Sequence, residues 1–190
     1  NVTYGDTPTY TVASARYLTG VATNLTMVTL NAPVISGSNY TFSDPYGGNA
    51  TFTLGIASPS LSSASKTRVG TYSLNASNIT ETSANFNNTL VIDGVLNVQK
   101  RSITSVSGLT TASKEYDGTT SATINVSGAA FANQVSGDVL NLSSAAGTYL
   151  DKNVGTGKSV NVTTMILGGT DASNYVLTAA TATSTGNITQ

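Results

Sequence analysis

From Val160 to Leu167 the chain alternates with a period of two. Val160, Val162, Thr164 and Ile166 fall on one side, and Asn161, Thr163, Met165 and Leu167 on the other. Successive side chains point to opposite faces only in an extended strand. Both faces here are fairly apolar, as for a strand packed inside a layered sheet. The rest of the chain favours the same geometry. It carries 32 Thr and 24 Ser, and Tyr outnumbers Phe nine to four. Thr, Val and Tyr suit a pleated, half-buried surface. Between the apolar runs 90–92 and 95–98 stands Asp93-Gly94, the pair that a two-residue hairpin turn prefers. Helical periodicity is weak: only 129–135 and 13–18 suggest one or two turns each.

Charged residues make up 9% of the chain, against about 25% in an ordinary domain. With 39% hydrophobic residues and a net charge of −1, the chain lacks the high-charge, low-hydrophobicity signature of disorder. Its eight scattered Lys and Arg make no basic stripe, which argues against nucleic acid. No run of apolar residues is long enough for a membrane-spanning helix, and no segment reads as a signal peptide. Cysteine is absent, so neither disulfides nor thiolate metal sites are expected. The chain opens in mid-pattern, which reads as a segment of a longer polypeptide.

An internal echo divides the chain. Val69-Gly70-Thr71 recurs as Val154-Gly155-Thr156, Ala84-Asn85-Phe86 as Ser173-Asn174-Tyr175, and Gly94-Val95-Leu96-Asn97 loosely as Gly186-Asn187-Ile188-Thr189. The offset of about 85–92 residues is the length of a small domain. Two domains are therefore expected, 1–100 and 101–190, joined near Lys100-Arg101 without a Pro- or Gly-rich linker.

Three motifs follow one another in the second half: Lys114-Glu115-Tyr116-Asp117-Gly118-Thr119, Asn153-Val154-Gly155-Thr156-Gly157-Lys158, and Ala172-Ser173-Asn174-Tyr175-Val176-Leu177. Over about 101–190 this resembles the YDG domain of large secreted bacterial surface adhesins. The first half opens on Val2-Thr3-Tyr4-Gly5-Asp6 and closes on Gly94-Val95-Leu96-Asn97-Val98. It resembles the MBG domain of the same proteins, with a region 20–65 that is longer than usual. The resemblance implies small, mainly β domains, sandwich or β-grasp-like, in an elongated tandem with at most one short helix each. It also implies a secreted, monomeric segment at the bacterial cell surface, whose partners are neighbouring domains of the same polypeptide.

The chemistry-bearing residues are few. There is no His, and the two Glu and seven Asp are dispersed, mostly beside Gly or Pro. That inventory argues against an enzyme and against a calcium loop, which needs several carboxylates together. No cofactor is expected. Tyr116-Asp117-Gly118 and Tyr4-Gly5-Asp6 read as structural turns, the Asp accepting from backbone amides, the Gly taking positive φ and Tyr116 packing into the core. Lys114 and Lys158 are candidates for a covalent cross-link to Asp or Asn, but read more simply as edge-strand or solvated lysines.

Eleven of the 18 Asn stand in Asn-x-Ser/Thr sequons, about twice the number that the composition alone gives. Asn24, Asn39, Asn49, Asn75, Asn78, Asn87, Asn125, Asn141 and Asn161 are candidate glycan acceptors, beside Asn1 and Asn187. The function expected is a structural stalk that supports attachment to host cells, surfaces or biofilm matrix. The alternative is direct binding of a host glycan, a host protein or an exopolysaccharide through loops of the first domain. Tyr17, Tyr40 and Tyr46 are the aromatic platforms for that alternative.

Overall fold

The computed structural model describes residues 1–12, 14–21, 24–82 and 91–190, with the backbone alone for 17–21 and 24–28. The fold is mainly β. Among the described residues the only helical element is a 3-10 turn, Ala172–Asn174. The two weak helical signals are corrected: Ser14–Val21 is a strand, and the described 129–135 region is a two-residue strand, Ala130–Phe131, followed by turns. Tertiary pairing overrides local propensity: Ser14–Val21 pairs with Asn24–Thr29 and with Val91–Asp93, and Ala130–Phe131 pairs with Val106–Ser107.

The chain forms two compact units. One comprises Asn1–Val2, Asp6–Pro59 and Gly70–Val98; the other comprises Thr3–Gly5, Ser60–Val69 and Gln99–Gln190. The second unit thus takes two short segments from the N-terminal half of the chain.

The first unit holds most of a six-stranded sheet in the order Val2–Thr3, Val95–Gln99, Gly70–Glu81, Asn49–Ile56, Asn39–Ser43, Val34–Ser36. A second sheet orders Asn24–Thr29, Ser14–Val21 and Val91–Asp93. Alternation turns Tyr40, Phe42, Ala50 and Phe52 inward, where they pack with Ala15 and Leu30. The Phe42 and Phe52 rings stack at 5.8 Å. Asp93-Gly94 is not a hairpin turn. Val91–Asp93 pairs with Ser14–Arg16, whereas Val95–Val98 pairs with Gly70–Ser73, so the chain changes sheets at Gly94. The approach there is close: a Cβ on Gly94 would come 2.8 Å from Leu74 Cδ1, so the Leu74 side chain would have to shift.

The second unit is built on a five-stranded sheet in the order Lys114–Glu115, Ala182–Thr189, Gly155–Gly168, Asn141–Tyr149, Ser121–Ala122. Short pairs surround it, among them Arg101–Ile103, parallel to Tyr175–Leu177. Val160 and Val162 are buried as their alternation predicts, and Leu142, Tyr149, Phe131 and Tyr175 are buried with them. Ile166 and Val139 are not; each is about half exposed. The ladder between Asn141–Tyr149 and Gly155–Gly168 slips twice, between Leu142 and Ala146, and Thr164 takes a φ of 51°. An extra residue reverses which face each later side chain occupies, and so Ile166 turns outward.

Candidate functional site

The Tyr-Asp-Gly turn leaves a two-residue strand, Lys114–Glu115, that pairs in parallel with Ile188–Thr189. Tyr116 N donates to Thr189 O at 2.9 Å and closes that ladder. Asp117 Oδ1 then accepts from Lys114 Nζ at 2.7 Å, Thr119 N at 2.8 Å and Thr119 Oγ1 at 2.8 Å. Gly118 takes a φ of +75°, a region L side chains resist. The bonds from Lys114 first, and then from Thr119, hold the Asp117 carboxyl far below the usual carboxylate range. The expected Asp and Gly roles are therefore in place. Tyr116 corrects the expectation: it is 50% exposed rather than in the core. Its backbone, not its ring, is what the sheet uses.

The second motif is similar in kind. Asp151 Oδ1 accepts from Lys158 Nζ at 2.6 Å and from Asn153 N at 2.9 Å, which lowers the carboxyl's pKa. Both lysines considered for cross-linking are engaged in these ion pairs. Tyr116, Asn153, Val154 and Gln190 line an open depression of about 510 Å³ beside the turn.

The third motif leads to a buried polar cluster that sequence reasoning missed. Within the second unit, Tyr4 Oη donates to Asp138 Oδ2 at 2.7 Å and Tyr175 Oη donates to the same oxygen at 2.6 Å. The two rings meet edge to face at 5.3 Å. Asp138 Oδ1 accepts from Ala64 N at 3.2 Å. Asp171, fully buried, accepts from Arg68 Nη2 at 2.9 Å, from Ser63 N at 3.2 Å and from Val139 N at 2.9 Å. Asn174 Oδ1 accepts from Val69 N at 3.1 Å. Buried carboxylates are tolerable only when bonded and paired in this manner.

Burial alone would raise the Asp171 pKa. The bonds from Val139 and Ser63, with the Arg68 charge, outweigh it and leave the carboxyl below its usual value. Burial and the bond to Asp138 push the Tyr4 hydroxyl up to about 12 and the Tyr175 hydroxyl also well above its ordinary value. Asp138 and Asp171 stand beside Gly and Thr in sequence, so they read as turn residues. Only Tyr4 of the N-terminal motif and the Asn174-Tyr175 pair of the third motif pointed to this place.

The N-terminal motif serves the cluster. Tyr4 is fully buried, its N donates to Gln99 O, and its carbonyl accepts from Arg101 Nε at 2.6 Å. Gly5 has a φ of +88°, and a Cβ there would lie 2.5 Å from Val135 Cγ2. Asp6 is exposed.

Of the aromatic platforms, Tyr46 is 85% exposed at the tip of the turn between Asn39–Ser43 and Asn49–Ile56. Asp44 Oδ1 fixes that turn by accepting from Tyr46 N and Gly48 N. Tyr40 is corrected: it lies in the core, its ring against Phe52 and its hydroxyl on Tyr10 O. The Tyr17 side chain lies outside the described residues. The structure does not bring Tyr40 and Tyr46 together. Among the sequons, Asn39, Asn75, Asn78, Asn125, Asn141 and Asn161 are exposed, and Asn49 is half-buried with its Oδ1 taken by Ser43. The Asn24 side chain and Asn87 lie outside the described residues.

No curated protein and no solved structure matches the chain. Residues 99–184, which hold all three motifs of the second half together with Asp138 and Asp171, match the family model of the YDG domain, and this part of the chain is a YDG domain.

Proposed function

We propose that the chain is a structural display segment of a secreted bacterial surface adhesin, holding more distal parts of the polypeptide away from the cell. One observation carries the reading. The Asp residues in and beside the YDG motifs, Asp117, Asp151 and Asp171, each accept hydrogen bonds from within the chain. Side chains used in this way build a fold and offer little to a ligand. The low charge of the chain suits a segment that resists nonspecific attachment. The first half is proposed to be an MBG-like module of the same protein. The exposed sequons make the strand surfaces candidate glycan carriers, which intact mass of the natively produced protein tests.

A competition assay distinguishes display from binding. Purified 1–190 added in excess leaves attachment of the parent cells unchanged if the segment is a spacer. Inhibition would favour the second reading, direct binding through the first unit, for which the rigidly presented Tyr46 is the supporting observation.

A further inference from the structure

The two halves repeat one arrangement. In each, a two-residue strand lies beside the last strand, which lies beside the long strand, which lies beside the one before it. The first set is Val2–Thr3, Val95–Gln99, Gly70–Glu81 and Asn49–Ile56; the second is Lys114–Glu115, Ala182–Thr189, Gly155–Gly168 and Asn141–Tyr149. In each, a Tyr N then donates to the carbonyl near the end of the last strand: Tyr4 to Gln99 at 2.8 Å, Tyr116 to Thr189 at 2.9 Å. Tyr116 therefore corresponds to Tyr4, Asn153-Val154 before the long strand to Arg68-Val69, and Gln190 to Lys100.

The corresponding residues differ in what covers them. Within the second unit, Tyr4, Arg68 and Val69 are held by Asp138, Tyr175, Asp171 and Asn174. Tyr116, Asn153, Val154 and Gln190 instead line the open depression. Tyr116 is 50% and Val154 48% exposed, where Tyr4 is fully buried.

We propose that the face around Tyr116 is a docking surface for a second YDG unit, which would receive Tyr116 through its own Asp138 and Tyr175 and Val154 through its own Asn174. The chemistry is complementary. A phenol suits a carboxylate acceptor in an apolar setting, and the Val154 N–H can donate to an Asn174 Oδ1 as the Val69 N–H does. The neighbouring carboxylates, Asp117 and Asp151, are already neutralised by Lys114 and Lys158, so they do not repel the incoming Asp. One position differs: Gly5 follows Tyr4, whereas Asp117 stands between Tyr116 and Gly118, so the neighbour of Val135 changes.

The correspondence fixes the register of a test. Residues 101–190 are repeated directly after Gln190, which sets the second Arg101 two residues after Thr189, as Arg101 stands after Gln99. Tyrosine nitration is followed by peptide mass spectrometry, with peptides of the two copies told apart by isotope-labelled segmental ligation. Tyr116 of the first copy is expected to react about tenfold more slowly than in the 190-residue chain, as protection by a stable contact requires. Tyr46 and the Tyr116 of the appended copy should stay reactive. An appended copy that folds while the first Tyr116 reacts at its original rate, or one that does not fold, would overturn the proposal. This docking extends the modular reading but is tested in purified protein without cells, so the two fail separately.

Discussion

Tyr4 and Tyr175, 171 residues apart in sequence, donate their hydroxyls to the same oxygen, Asp138 Oδ2. A carboxylate buried with two phenols satisfies all three groups at once. Removing the acceptor strands both hydroxyls and the Ala64 amide. Asp138→Ala should therefore destabilise the second unit by about 2–4 kcal/mol, while Tyr4→Phe, which loses one bond and keeps the packing, should cost about 1–2 kcal/mol. Urea unfolding monitored by tyrosine fluorescence checks the order. A Tyr4→Phe cost near zero would mean that the edge-to-face ring contact, not the shared oxygen, holds Tyr4.

The same cluster sets a response to high pH. The folded-state pKa values of Tyr4 and Tyr175 are raised above their ordinary value of 10. The stability they contribute is fully present below pH 10 and is lost as pH rises through the folded values, about 12 for Tyr4. A melting-temperature profile should be flat to about pH 10 and fall above it. Tyr4→Phe should fall less steeply there.

At low pH the sign reverses. Asp171, Asp151, Asp117 and Asp93 have folded pKa values below their ordinary value. Their contribution is present above about pH 4, the unfolded value, and is lost as pH falls through the lower folded values. Loss of stability should therefore begin below about pH 4. Asp171→Asn, measured by the same profile, should remove part of that slope and lower stability at neutral pH.

Two glycines separate backbone strain from crowding. Gly118 has positive φ with open space where a Cβ would stand, whereas Gly5 has positive φ and Val135 Cγ2 at 2.5 Å. Gly118→Ala should cost about 1–2 kcal/mol for the left-handed backbone alone. Gly5→Ala should exceed it by about 1–3 kcal/mol, as overpacking does. Thermal unfolding of the two variants decides it; equal costs would show that the Tyr4 segment moves aside freely.

What the sequence made legible follows from how local each signal is. Val160 and Val162 declare their face by alternation, and they are buried. Ile166 obeys the same alternation until the ladder slips between Leu142 and Ala146 and Thr164 takes positive φ, a change that the alternation itself does not announce. Asp93-Gly94 has hairpin chemistry, yet tertiary pairing draws its flanks to different strands. The Asp117 turn was legible because its partners, Lys114 and Thr119, stand beside it in the chain. The Asp138 cluster was not, because its donors come from residues 4, 64 and 175, and no local pattern links them. Tyr40 was legible too: Tyr40 and Phe42 alternate with Asn39, Thr41 and Ser43, which marks the inward face of that strand.

The display function is tested most directly in the parent cells, with residues 1–190 exchanged for an unrelated stiff spacer of equal length and surface display measured in parallel. Unchanged attachment at unchanged display is the predicted result. A fall in attachment while display is maintained would contradict it and assign binding to the segment itself, with Tyr46 the first residue to replace.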